Sequence, residues 1–327
     1  MSVSDSSGPD GAAPQNKLLI LAADADVYAG LIAAEKLQNL EVFTDSGTTV
    51  VSTGIIADCN IILGEPSLVK SVLSSASGLQ WVQSSWAGVD SLCQPGLRRD
   101  FVLTGVKDVF GPMINEYVTA YIFALERGLF EMRSAQRQKN WHPLPYRQAA
   151  DIAVGIVGLG SIGQFLAANL GKFGIRVTGL NRSGAACAAV EKVYTLENLA
   201  DFLADPDYVV VTLPDTHQTR HFINAESLAM MKPSAVLINV GRGSVVSEQD
   251  LVDALQRGVI AGAVLDVFEQ EPLPQSSPLW DTPNTYITPH IAADSFPENI
   301  VRIFAENYRR FIQHQPLMHV IDLELGY

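Results

Sequence analysis

Positive charge is scarce in this chain. It has 22 Lys and Arg against 35 Asp and Glu, a formal net charge of −13. Nucleic acid and anionic membranes are bound through clusters of basic residues, so neither partner is expected. An anionic substrate would need its positive charge supplied locally. Cysteine is also rare: Cys59, Cys93 and Cys187 are widely spaced and odd in number, which fits a reducing, cytoplasmic location. No apolar run reaches the roughly 20 residues of a membrane span, and no repeat of solenoid period is present. Residues 1–16, "MSVSDSSGPDGAAPQN", lack the basic and apolar blocks of a signal peptide and read as a disordered tail. One further absence is local. In "RVTGLNRSG", residues 176–184, the strand-like run ends in Asn181, Arg182 and Ser183, where a dinucleotide-binding chain usually presents an acid.

What is present is globular material. Apolar residues make up 47% of the 327 and charged residues 17%, enough for two domains with sizeable cores. In residues 17–110, "KLLILAA", "NIILG" and "LQWVQSS" read as buried strands separated by helical stretches, a small α/β unit. In "GPMINEYVTAYIFALERG", Ile114, Tyr117, Val118, Tyr121, Ile122 and Leu125 fall at helical spacing, with Arg127 and Gly128 to stop the helix. From Ile152 onward "IAVGIVG", "RVTGL", "YVVVTL", "AVLINV", "AGAVLDV" and "TYIT" alternate with helical stretches, including Ile162–Phe173 and Glu248–Arg257. That alternation predicts a parallel sheet covered on both faces.

The alternation stops near His290. A last helix follows in "SFPENIVRIFAENYRRFIQHQP", with Ser295 and Glu298 at capping-box spacing and Pro297 between them. Its stripe of Ile300, Ile303, Phe304, Phe311 and Ile312 needs a surface to bury against, and the sheet domain is complete by then. The helix is therefore expected on the N-terminal unit. The expected division is a discontinuous domain of residues 17–110 and 293–327, and a dinucleotide-binding domain of residues 111–292.

"GIVGLGSIGQFLAANLGKFG" places Gly158, Gly160 and Gly163 directly after a strand and at the head of a helix. Gly158 permits the tight turn, Gly160 lets a pyrophosphate approach the backbone, and Gly163 lets helix and strand pack closely. The helix N-terminus, opened by Ser161 and Ile162, offers N–H groups and a favourable dipole to the phosphates. Arg242, Glu271 and His290 each follow a different predicted strand of the same sheet, at the edge where open parallel sheets bind ligands. Singly, each has a structural reading as a turn or loop residue. Three complementary groups beside a cofactor motif form a candidate site. "HQTRH" spaces His217 and His221 as helical metal ligands are spaced, but it lacks the glutamate, the helix and a third ligand, so no metal is expected.

"GLGSIG", "INVGRGSVV", "LDVFEQEPLP" and "SPLWDTPNTYITPHIAA" together resemble the D-isomer specific 2-hydroxyacid dehydrogenase family, in the family's order and over essentially the whole chain after the tail. With "QSSWAGVDSL" and the C-terminal "LGY", the chain is most similar to the short glyoxylate/hydroxypyruvate reductase branch. The resemblance implies a Rossmann-type doubly wound cofactor domain, a smaller discontinuous flavodoxin-like α/β substrate domain, and a homodimer. It implies that His290 is the acid/base, Glu271 its partner and Arg242 the clamp on the substrate carboxylate. It also places Trp86, Ala87 and Gly88 at the substrate, with the N–H groups of Ala87 and Gly88 on the carboxylate. Leu213, Thr219, Val240 and Asp266 join the glycine motif as cofactor contacts, Asp266 at the nicotinamide carboxamide.

The chemistry asks for these residue types. Reducing a 2-oxo acid needs a hydride on the carbonyl carbon and a proton on its oxygen. Histidine, with an ordinary pKa near ~6.5, can donate that proton near neutral pH. A carboxylate on its other nitrogen orients the ring and favours the protonated form. Arginine pairs with the substrate carboxylate and stabilises charge growing on the carbonyl oxygen. Without an acid after the second strand, Arg182, with Asn181 and Ser183, is expected to accept the 2′-phosphate of NADP, so NADPH is expected over NADH. Two alternatives stand beside this reading: a non-catalytic nicotinamide-sensing regulator on the same fold, and an NAD-preferring dehydrogenase.

Overall fold

Continuous apolar runs become parallel strands here because both of their faces are covered. The computed structural model describes residues 15–46, 53–324 and 326. Residues 1–14 of the expected tail lie outside the described residues, and Asn16, at its end, already opens the first strand. The chain divides into two compact units, one running to Val106 and resuming at Ser295, the other spanning Lys107–Asp294.

The first unit begins β1 (Asn16–Leu21), α1 (Ala25–Ala34), β2 (Leu40–Asp45), α2 (Thr53–Asp58), β3 (Ile61–Gly64), α3 (Pro66–Val72), β4 (Trp81–Ser84) and β5 (Val102–Thr104). Its five strands are all parallel in the order β2-β1-β3-β4-β5, the flavodoxin-like order.

The second unit runs α4 (Gly111–Glu126), α5 (Leu129–Arg137), β6 (Ala153–Val157), α6 (Ser161–Leu170), β7 (Arg176–Leu180), β8 (Lys192–Tyr194), α7 (Leu199–Leu203) and β9 (Tyr208–Val211). It continues through α8 (Ala225–Ala229), β10 (Val236–Asn239), α9 (Glu248–Gln256), β11 (Gly262–Leu265) and β12 (Thr285–Ile287). The seven strands are parallel in the order β12-β11-β10-β9-β6-β7-β8, and the order reverses between β6 and β9. Counted from β6, this is the Rossmann order 3-2-1-4-5-6 with one strand added. Side chains alternate between the faces: Val157, Val209, Val211 and Leu237 enter one core, and Val154, Ile156, Val210 and Ile238 the other. Both faces are therefore dry, as a parallel sheet requires.

The last helix, α10 (Pro297–Ile312), returns to the first unit. There Phe304 stacks on the fully buried Trp81 with ring centroids 5.1 Å apart, and Phe311 lies 5.5 Å from the same ring. The expected Ser295 capping box does not form, because α10 begins at Pro297 with Phe296 at its N-cap and no side-chain cap bond. Ile312, expected in the buried stripe, is 38% exposed at the helix end. No described helix is long and apolar enough to cross a membrane.

Candidate active site

The glycine turn joins β6 to α6 at the sheet's reversal point. Gly158 has φ +106°, a conformation that L side chains rarely adopt, and its carbonyl accepts the Thr212 hydroxyl at 2.7 Å. Gly163 packs so close that an added Cβ would lie 2.1 Å from the Gly158 carbonyl oxygen. Gly160 is the opposite case: a Cβ there would meet nothing within 4 Å. It is the N-cap of α6 and makes no side-chain cap bond, while Ser161 is exposed and Ile162 half-buried. An open helix N-terminus on an exposed turn fits a pyrophosphate.

The loop after β7 is more specific than its sequence. Asn181 turns its amide inward, its Nδ2 donating to the Ala185 carbonyl at 2.9 Å, while its buried Oδ1 has no partner among the described residues. Ser183 Oγ accepts the Ala185 N–H at 3.3 Å. Arg182 is exposed and, among the described residues, has no ion-pair partner. Of the three expected donors, Asn181 therefore serves its own loop, and Arg182 is the one presented outward.

Leu213 follows β9 half-buried, and Val240 is buried just beyond β10. Thr219 donates to the Pro214 carbonyl at 2.6 Å and so closes the loop after β9. The two histidines of that loop lie in a turn, with His221 Nε2 3.3 Å from Glu269 Oε1. Among the described residues no group of His, Cys, Asp and Glu could hold a metal ion.

Arg242, Glu271 and His290 lie beyond the C-terminal ends of β10, β11 and β12, at neighbouring positions along one sheet edge. His290 Nδ1 is 2.7 Å from Glu271 Oε2, while Glu271 Oε1 accepts the Phe268 N–H at 2.9 Å. His290 Nε2 has no hydrogen-bond partner among the described residues. The bond to Glu271 raises the His290 pKa above its ordinary 6.5, against the opposing effects of burial and of the Arg242 charge. Burial pushes Glu271 upward, but His290, the Phe268 N–H and Arg242 outweigh it and hold the carboxyl below its usual range. Arg242 is half-buried, with Nη1 donating to the Gly241 carbonyl at 2.7 Å. Next to it, Gly243 touches the Phe268 backbone so closely that an added Cβ would fall 1.8 Å from that carbonyl carbon. The arginine loop and the glutamate loop are thus locked together.

Asp266 is 1% exposed and accepts from the Thr288 hydroxyl at 2.6 Å and from the Ile291 and Ala292 N–H groups at 2.9 Å each. The Thr288 hydroxyl is also 2.6 Å from the Tyr117 hydroxyl on α4. Sequence reasoning treated Tyr117 only as a helix-stripe residue and gave Thr288 no role.

In the first unit, the loop after β4 is shaped by Ser84. Its hydroxyl accepts the Trp86 N–H at 3.1 Å and donates to the Trp86 carbonyl at 2.7 Å. Trp86 is 47% exposed. Among the described residues the N–H groups of Ala87 and Gly88 have no hydrogen-bond partner.

Comparison with known proteins adds an independent line. The family model for the D-isomer specific 2-hydroxyacid dehydrogenase, NAD binding domain, matches residues 119–292. Glyoxylate/hydroxypyruvate reductase A of Photorhabdus laumondii subsp. laumondii is 33% identical over 263 residues, covering 78% of this chain and 84% of that protein. The crystal structure of a D-isomer specific 2-hydroxyacid dehydrogenase family protein from Aeromonas salmonicida subsp. salmonicida is 42% identical, with a TM-score of 0.88 over 94% of this chain and 99% of that one. An NADPH-dependent glyoxylate/hydroxypyruvate reductase from Sinorhizobium meliloti, in complex with NADP and sulfate, is 30% identical, with a TM-score of 0.85 over 95% of this chain and 100% of that one.

Proposed function

This chain belongs to the D-isomer specific 2-hydroxyacid dehydrogenase family of nicotinamide-dependent oxidoreductases, and on that premise we propose that it reduces small 2-oxo acids of the glyoxylate and hydroxypyruvate type to D-2-hydroxy acids, with NADPH preferred. The observation that carries the reaction is the His290–Glu271 pair: Nδ1 is held at 2.7 Å, and Nε2 has no partner among the described residues. Glu271 keeps the ring oriented and protonated, and Nε2 delivers the proton to the substrate's carbonyl oxygen. Arg242 pairs with the substrate carboxylate and stabilises charge on the oxygen being protonated. On the first unit, the N–H groups of Ala87 and Gly88, without a hydrogen-bond partner among the described residues, stand as the carboxylate ligands that the family resemblance implies, with Trp86 beside them. The glycine turn and the residues after β7, β9 and β11 would hold the coenzyme, whose chemistry when bound would be to supply the hydride. The three free cysteines fit a cytoplasmic enzyme.

The preference for NADPH rests on Arg182. A charge-assisted bond to phosphate contributes about 1.5–3 kcal/mol, roughly 10- to 100-fold in affinity. Arg182→Gln should lower the ratio of kcat/KM for NADPH over NADH by about that factor. Adding Asn181→Asp should push the ratio further toward NADH, because a carboxylate there repels the 2′-phosphate. Steady-state kinetics with both coenzymes at saturating glyoxylate decide the matter. A native preference for NADH, or a ratio indifferent to both substitutions, would overturn the assignment.

The proposed partner is a second copy of the chain. Helix α5 buries none of its residues, and Leu129, Phe130 and Met132 on it are exposed. Nearby in sequence, Tyr146 is 62% exposed and Trp141 96%. So dense a set of exposed large apolar side chains is what an interface covers. Sedimentation should report a dimer, and Trp141→Glu should shift it toward monomer. A monomeric native protein would refute this.

A further inference from the structure

His290 sits on an unusual backbone. Its φ is +55°, in the left-handed region where a residue with a Cβ is disfavoured, so the surroundings must hold it there. Its own N–H donates to the Asp266 carbonyl at 2.8 Å and approaches the Thr288 carbonyl at 3.1 Å. The next two N–H groups, of Ile291 and Ala292, both end on the Asp266 carboxylate. On the other side of the histidine, the Thr288 hydroxyl ends on Asp266 Oδ1. Residues 288 and 290–292 therefore all converge on one buried aspartate.

The convergence extends one residue further. Thr288 has a single hydroxyl proton, and it goes to Asp266, so the 2.6 Å contact with Tyr117 must have the tyrosine as donor. Burial raises the Tyr117 pKa, which keeps that proton in place. The result is a directed chain: Tyr117 hydroxyl to Thr288 hydroxyl to Asp266 carboxylate. It ties α4, 171 residues away in sequence, to the loop that carries the acid/base.

We propose that Tyr117, Thr288 and Asp266 are positioning residues that hold His290 in its left-handed conformation and so fix where Nε2 points. The proposal rests on His290 being the acid/base. It gives Asp266 a duty beyond the coenzyme contact implied by family resemblance. A carboxylate has about four acceptor positions, and three of those on Asp266 are filled by its own chain. Loss of the Thr288 hydroxyl leaves the Tyr117 hydroxyl without its acceptor and removes one of the three donors on Asp266 at once. A reacting group displaced by roughly 1 Å can lose about 10²-fold in rate.

Thr288→Val tests this, because it keeps the shape and removes only the hydroxyl. It should lower kcat for glyoxylate reduction by about 10- to 100-fold, with the Kd for NADPH changed less than about twofold. Thr288→Ser restores the hydroxyl and should recover most of the rate. Tyr117→Phe removes the head of the chain and should give a smaller fall in kcat, again without a change in coenzyme affinity. Titration of each variant with NADPH, followed by coenzyme fluorescence, checks both folding and affinity. A Thr288→Val enzyme with native kcat, or one whose loss appears wholly in NADPH binding, overturns the proposal. So does equal loss in Thr288→Val and Thr288→Ser. If instead His290→Gln proves fully active, it is the underlying reading that fails.

Discussion

His290→Gln should lower kcat for 2-oxo acid reduction by about 10²- to 10⁴-fold while the Kd for NADPH stays near the native value. Glutamine keeps the polar bulk beside Glu271 but has no proton to give at neutral pH. The glycine turn and Arg182 belong to other loops, so coenzyme affinity reports that the variant is folded. The pH dependence carries a sign. Glu271 raises the His290 pKa, so the imidazolium that reduction needs is present below that raised value and is lost as pH climbs through it. Reduction should decline on the alkaline side, and oxidation of the 2-hydroxy acid should rise over the same interval. Glu271→Gln removes the group that raises the pKa, so the limb in kcat/KM should move to lower pH. A limb that does not move would mean that Glu271 does not set it. A His290→Gln enzyme with native turnover would remove the histidine from the mechanism.

The parts of this architecture legible in sequence are those where one physical demand dominates. β6, β9 and β11 read as "AVGIV", "YVVV" and "GAVL" because every one of their positions is buried. Of the edge strands, β12 was legible as "TYIT", but β2, β5 and β8 were not. β2 reads "LEVFTD" with mostly half-buried positions, and β5 and β8 have three residues each. Helix α5 also escaped notice, since it buries no residue and so has no core-facing stripe to register. The capping-box pattern at Ser295 misled because Phe296, not Ser295, precedes the first helical residue.

At the site the same division holds. Gly158 and Gly163 are readable because a positive φ at the first and a close backbone contact at the second admit few residue types. The inward turn of Asn181 is not, because it depends on a carbonyl four residues away. The tie from Tyr117 to Thr288 spans 171 residues and leaves no spacing to detect. Asp266 was named only through resemblance, and nothing in its local sequence announces that it organises residues 288–292.

The second large effect is expected at Arg242, where lysine keeps the charge and loses the fork. Arg242 Nη1 donates to the Gly241 carbonyl at 2.7 Å, so the guanidinium is anchored by one arm and its plane is fixed. A lysine ammonium has one nitrogen for all its partners and cannot be anchored and bidentate together. The backbone cannot shift to compensate, because Gly243 already touches Phe268 with no room for even a Cβ. Loss of a donor that meets developing charge typically costs about 10²- to 10³-fold. Arg242→Lys should therefore lower kcat/KM for glyoxylate by roughly that factor, divided between a raised KM and a lowered kcat. Both parts are required by the proposed role, in which the same group binds the carboxylate before reaction and stabilises the oxygen during it. A fall in kcat alone would confine Arg242 to the transition state, and a rise in KM alone to binding. An enzyme unchanged in both would show that charge without the fork is enough, and the clamp would have to be sought elsewhere.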